Sequence, residues 1–228
     1  MGRPVLACHI IFGAYGFWLP NDPRGSQSKY VFAPRLAVFG PPRPLKRDTT
    51  LNANDAEQLR IIQAELSLPP VRFGAAQTNS IAGGLGEIVG KLGLVLYAAA
   101  IMPDHVHVVA ARQEMHAEDI AGHLKRAASR QLRKDGLHPH AAYERRMGVV
   151  NPGLQAGRNA NTRRLGAAVN PGGHSGRNRL PSPWGGRGWK VFLFDLDEIE
   201  HAVEYVNANP VEAGLAPQRW PWLKPPEG

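Results

Sequence analysis

Cysteine is almost missing from this 228-residue chain, where Cys8 is the only one. No intramolecular disulfide can form, and zinc sites built from paired cysteines are excluded. A reducing, cytoplasmic setting is the expectation. Long apolar runs are also missing. None approaches the roughly 20 residues that cross a bilayer, so no membrane partner is expected. No basic, apolar and then small-residue leader opens the sequence, so secretion is not expected. Acidic residues are in deficit, 19 against 27 Lys and Arg, which leaves a net charge of +8. The deficit is local. Residues 136–194 hold nine Lys/Arg and one acid, Glu144, an excess as large as that of the whole chain. Charge gathered in one region suits an anionic partner, and nucleic acid is the common one; the bland alternative is solubility alone.

The length suits one domain, or one domain with an insertion. Residues 5–12 are β-branched and aromatic and read as a strand running into the turn cluster PNDPRGS. Residues 31–50 read as irregular loop. A helical period over 54–66 places Leu59, Ile62 and Leu66 on one face, with Asn54 as its cap. A second helix is expected over 76–91, then strands over 94–102 and 105–111 joined by the Met102-Pro103-Asp104 turn. Residues 117–134 read as a helix with Ile120, Leu124 and Leu132 inward. Residues 138–183 are rich in Gly, Asn, Arg and Pro, and VNPGLQAGRN recurs there as VNPGGHSGRN. Two copies are too few for a solenoid, so a flexible insertion is expected. A last strand over 189–195 and a helix over 196–208 follow, with Asp195 and Glu198 forming a capping-box-like start. The order predicts a small α+β fold, an antiparallel sheet with helices on one face, as a single domain over 1–223.

The stretch IMPDHVHVVA, residues 101–110, sets two histidines in an apolar run. In a strand, residues i and i+2 share a face, so His105 and His107 project side by side with Cα atoms roughly 6.5 Å apart. Two imidazoles so placed can converge on one divalent ion, and Val106 and Val108 then enter the core. Alone, the pattern reads more readily as one wet strand face, because surface histidine is commoner than ligand histidine. The closing helix offers partners. Ile199, Ala202, Val203 and Val206 form an apolar stripe. His201, Tyr205 and Asn209 fall at intervals of four along its border. Pro210 predicts the helix end at Asn209. Taken alone, this is also an ordinary helix finishing in an Asn-Pro turn.

Together the segments are more specific. IMPDHVHVV resembles the histidine–hydrophobe–histidine signature of HUH single-tyrosine transposases. WKVFLFD and AVEYVNANPVEAGL resemble the C-terminal signature of the REP-associated tyrosine transposases and their insertion-sequence relatives. The opening HIIFGAYGFWLPNDPRGS is similar to openings in the same group. The insertion and most of 31–75 fall outside the resemblance.

The resemblance implies a ferredoxin-like, or RRM-like, sandwich. It implies Tyr205 as nucleophile and His105, His107 and Asn209 as ligands of Mg²⁺ or Mn²⁺, two imidazoles tilting the set toward Mn²⁺. It implies cleavage and rejoining of single-stranded DNA beside palindromic hairpins through a 5′-phosphotyrosine, by a monomer or a homodimer. A phenol needs help to lose its proton at neutral pH, and His201 is a candidate base. Single strands are held by basic grooves and stacking aromatics. Trp184, Arg187, Trp189 and Lys190 interleave those types, and Arg24, Lys125, Arg126 and Arg130 are candidate phosphate contacts. Each such charge reads alternatively as a solvated surface group, and each tryptophan as core. Competing activities are a replication-initiator-like nickase and a non-catalytic hairpin-binding protein. A two-histidine phosphoesterase is excluded, because no histidine has Thr or Ser two residues on.

Overall fold

A computed structural model describes residues 3–26, 29–31, 34–44, 50–141, 180–186 and 188–226. Most of the expected insertion, residues 142–179, therefore lies outside the described residues, as does Arg187. The chain divides into two compact units, residues 1–15, 71–138 and 182–228 in one and 16–70 with 139–181 in the other.

The first unit holds the sheet. Its strands are β1 (Ala7–Gly13), β2 (Leu96–Ile101), β3 (His105–Ala111) and β4 (Trp189–Leu193). They lie in the order β2-β3-β1-β4, all antiparallel to their neighbours. With α3 (Ala75–Leu92) between β1 and β2, and α4 (Ala117–Lys134) between β3 and β4, the unit is a βαββαβ arrangement of the ferredoxin-like kind. The α+β antiparallel fold expected from the sequence is thus observed. β3 is a central strand, between β2 and β1.

Alternation along the strands defines two faces. Ile10, Phe12, Val106 and Val108 are buried on one, beneath α3 and α4. Lys125 of α4 lies over the Phe12 ring there. Gly84 lets α3 meet α4 closely, since a Cβ there would come within 2.9 Å of the Ala127 carbonyl. The last helix, α5 (Leu196–Glu212), packs on the opposite face. Ile199 and Val206 close a core with Ala7, Ala98, Ala100, Val109 and Leu193. The expectation of helices on one face is corrected here. It holds for the two crossover helices, whereas α5 covers the second apolar face that Ala98, Ala100 and Val109 leave.

α5 also runs past the end expected at Asn209. Pro210 lies inside it, and closure comes three to five residues later. Gly214, at φ +73°, donates to the Val211 carbonyl, and the Leu215 N–H donates to the Pro210 carbonyl. That is a Schellman closure, which needs glycine at the left-handed position and ties off the last turn. The start agrees with the sequence, since Asp195 accepts from the Glu198 N–H at 2.8 Å.

The free edge of β2 is occupied by the tail. Gln218 grips Ile101 twice, accepting from its N–H at 2.8 Å and donating to its carbonyl at 2.9 Å. The Lys224 N–H donates to the Leu96 carbonyl at 2.9 Å. At the other edge, Gly188 leads into β4, and a Cβ there would sit 2.2 Å from the Ile11 carbonyl oxygen. Backbone cannot yield as a side-chain tip can. Gly188→Ala is expected to cost about 1–3 kcal/mol through overpacking and to loosen β4 from β1. Urea unfolding checks this, and a wild-type midpoint would contradict it.

The second unit carries α1 (Pro34–Ala37) and α2 (Ala53–Ala64). α1 is a single turn within the stretch expected to be irregular. α2 is capped by Asn52, whose side chain accepts from the Asp55 N–H at 2.8 Å, so Asn54 lies inside the helix. Leu19, Leu36 and Ile62 form this unit's core.

Candidate functional site

β1 and β3 are paired with Ile11 opposite His107 and His9 opposite Val109. His9 and His107 are therefore diagonal neighbours on the α5 face, within reach of each other's rings. His9 Nε2 lies 2.9 Å from His107 Nδ1. His107 Nε2 lies 2.7 Å from His105 Nε2, and His105 Nδ1 lies 2.6 Å from an Asp104 oxygen. The expected side-by-side projection of His105 and His107 is observed. His9 and Asp104 join them unannounced by the His-x-His spacing. For His9, the available signal was a polar residue inside a strand otherwise made of apolar side chains, but the strand pairing was needed to show its neighbour.

α5 brings Tyr205 to the same place. Its ring centroid is 5.6 Å from that of His107 and 6.0 Å from that of His9, both edge-on. Val206, fully buried, anchors the helix next to it, while Tyr205 itself is 52% exposed. A half-exposed phenol over buried imidazoles is open to a large ligand on one side and fixed on the other.

Burial dominates the electrostatics. His107 is pushed down to about 2, by burial first and then by the neighbouring His105 and His9. His9 is pushed down to about 4 by burial. Both rings are therefore neutral at physiological pH, and a neutral imidazole has a lone pair to offer.

Two imidazole nitrogens on one cation, each at about 2.1 Å, lie about 3 Å apart when they subtend a right angle. The Nε2 atoms of His105 and His107, at 2.7 Å, need only a small opening to meet that distance. Among the described residues, no group of three or more His, Cys, Asp and Glu side chains could hold a metal ion. The two histidines would thus need a third ligand of another type, and an amide oxygen is one. Asn209 follows Tyr205 by one helical turn, and its Nδ2 donates to the Tyr205 carbonyl at 2.7 Å. Its nitrogen is tied to the helix, and Oδ1 is the atom with ligand chemistry. Because α5 continues beyond it, Asn209 sits within the final turns and not at the terminus. His201 is exposed, and its Nδ1–H donates to the Asp197 carbonyl at 2.7 Å, which leaves Nε2 as its basic nitrogen.

The candidate DNA contacts separate by face. Trp189 pairs with Ile11, on the histidine side of the sheet, and is half-buried. Lys190 points the other way, ion-paired with Glu118. Lys125, Arg126 and Arg130 belong to α4, on the face opposite the histidines. Lys125 donates to the Gly186 carbonyl at 2.7 Å, and burial lowers it to about 8. Arg126 and Arg130 are exposed. Trp184 is 4% exposed, edge-on to Phe12, and its indole N–H reaches the Lys125 carbonyl and Ser129 Oγ. The reading of Trp184 as a stacking platform is therefore corrected, because it is core and has no face to give a base. Arg24, in the second unit, is bound through two nitrogens to Asp22 and lies over Trp18, which leaves less of its charge for a phosphate.

No family model and no curated protein sequence matches this chain. Among solved structures, a REP-associated tyrosine transposase bound to a REP hairpin is similar to it. The TM-score is 0.41 and the identity 10%, over 95% of this chain and 73% of that one. A likeness of that extent has no bearing on chemistry, and the fold class stands on this chain's own strand order. Among the described residues, no helix is long and apolar enough to cross a membrane.

Proposed function

We propose that this chain cleaves and rejoins single-stranded DNA beside hairpins, through a tyrosine–phosphate ester and with a divalent cation, as HUH transposases do. One observation carries the reading. Two imidazole nitrogens converge at 2.7 Å, with the Tyr205 ring 5.6 Å from one of those imidazoles. The IMPDHVHVV and YVNANPVEAG resemblances and the basic excess over 136–194 agree with it.

His105, His107 and Asn209 would hold Mg²⁺ or Mn²⁺, which when bound neutralises non-bridging phosphate oxygens as a Lewis acid. The chain's own residues do the rest. Tyr205 attacks phosphorus, so that the Oη–P bond forms and the P–O3′ bond breaks. The phenol proton passes to a base, for which His201, one turn earlier on the same helix, is the candidate. The departing 3′-oxygen takes up a proton. The ester preserves the energy of the broken linkage, and a second 3′-hydroxyl reverses the step and joins strands without ATP. Trp189, on the histidine face, is the aromatic that would stack on an incoming base.

The test is incubation with a labelled hairpin bearing a single-stranded flank, with Mn²⁺, Mg²⁺ or chelator. A denaturation-resistant protein–DNA adduct is expected with either cation and not with chelator. Hairpin binding with no adduct under any condition would replace this reading by a non-catalytic binder. Nicking without strand joining would point to an initiator-like nickase.

A further inference from the structure

His9 is an imidazole in a central strand whose neighbours are apolar, and it is only 8% exposed. Burying such a ring costs free energy unless its nitrogens are engaged. One is engaged, by His107 Nδ1 at 2.9 Å. From there the line continues through His107 Nε2 to His105 Nε2 at 2.7 Å, and through His105 Nδ1 to Asp104 at 2.6 Å. Asp104, His105, His107 and His9 thus form one unbroken row of hydrogen bonds.

A neutral imidazole has one N–H and one lone pair, so few proton placements satisfy the row. With His105 Nδ1–H donating to Asp104, His105 Nε2 is an acceptor. In the absence of a cation, His107 then donates from Nε2 and accepts at Nδ1 from His9. For both Nε2 lone pairs to face one cation, His107 has to carry its proton on Nδ1 instead. The acceptor in reach of that proton is His9 Nε2. A side chain that only donates, or only accepts, serves one of these two states. Imidazole serves both, by moving its own proton to the other nitrogen.

The geometry points to His9 as a positioning residue. It holds the His107 ring and gives or takes the proton at His107 Nδ1, so that His107 Nε2 faces His105. This rests on the reading of His105 and His107 as metal ligands. It also explains why β1 spends a buried position on histidine. Partners that orient a metal-binding imidazole typically change affinity by about 10–100-fold when removed.

The experiment titrates Mn²⁺ into the full chain, following free ion by electron paramagnetic resonance, for wild type, His9→Leu and His9→Gln. It is paired with ¹⁵N spectra of histidine-labelled, metal-free protein. His9→Leu is expected to weaken Mn²⁺ binding by about 10–100-fold. His9→Gln, whose amide sets a donor or acceptor near the Nε2 position, is expected to recover most of that loss. Metal-free wild type is expected to show His107 as one tautomer, protonated on Nε2, and His9→Leu as a mixture. Wild-type affinity in His9→Leu overturns the role, as does a His9→Gln loss equal to that of His9→Leu. A wild-type His107 already divided between tautomers also overturns it. Wild type that binds no Mn²⁺ ends the ligand reading of His105 and His107, while the spectra still decide whether His9 controls His107. Should His9→Leu not fold, the wild-type spectrum and the His9→Gln titration decide between the same outcomes.

Discussion

Tyr205→Phe is expected to abolish the covalent protein–DNA adduct and to slow strand cleavage by more than about 10⁴-fold, the scale on which removing a nucleophile acts. The substitution removes one oxygen and keeps the ring. Packing against His107 at 5.6 Å and His9 at 6.0 Å uses the ring alone. The site is also 52% exposed, so the change in stability should stay within about 0.5 kcal/mol. Hairpin binding measured by gel shift should therefore persist while the adduct disappears. Single-turnover cleavage with Mn²⁺, followed on a denaturing gel, makes the comparison. An adduct that survives in Tyr205→Phe would place the nucleophile elsewhere and remove the central residue of the proposal.

Acid is expected to destabilise the protein from about pH 6.5 downward, a loss that begins above the range where carboxylates titrate. His9 and His107 are buried as neutral rings, at about 4 and about 2 against an ordinary 6.5. A folded-state value below the unfolded one means that the open chain takes up a proton the fold refuses. Above about pH 6.5 neither state is protonated, and the stabilisation is whole. As pH falls from there toward 4, each ring withdraws about 1.4 kcal/mol per pH unit, so His9 alone accounts for on the order of 3 kcal/mol. His107 acts in the same direction and continues lower. Against a typical total of about 5–15 kcal/mol, the two together are a large fraction of the stability, so the urea midpoint should fall steeply over that interval. Urea midpoints at pH 7.5 and 4.5 measure the effect, and His9→Leu should flatten part of the slope. A midpoint independent of pH across that interval would show that these rings are not held neutral by the fold.

Local chemistry made much of this readable from residues. β3 and α4 begin and end where alternation and the 3.6-residue period put them, and Asp195 caps α5 as its spacing with Glu198 implied. The shared projection of His105 and His107 followed from strand geometry alone. Long-range pairing made the rest unreadable. Which strand would be central depends on β1 inserting between β3 and β4, and that same insertion sets His9 beside His107. Asp104 looked like a turn residue because its role appears only once His105 Nδ1 is seen 2.6 Å away. Trp184 stood among basic residues in sequence, but the Phe12 and Phe73 rings claim it in space. Pro210 was read as a stop because local sterics say so, while the glycine-dependent closure at Gly214 lay four residues further on.

The double grip of Gln218 on Ile101 has a consequence for how copies of this chain can meet. A glutamine amide offers the same donor and acceptor pair as a peptide group, so the tail takes the place of a fifth strand's hydrogen bonds at that position. Among the described residues, β2 occupied in this way leaves sheet extension one border, β4. Sheet pairing through one border joins a twin about a two-fold axis and then leaves no border for a third copy by that route.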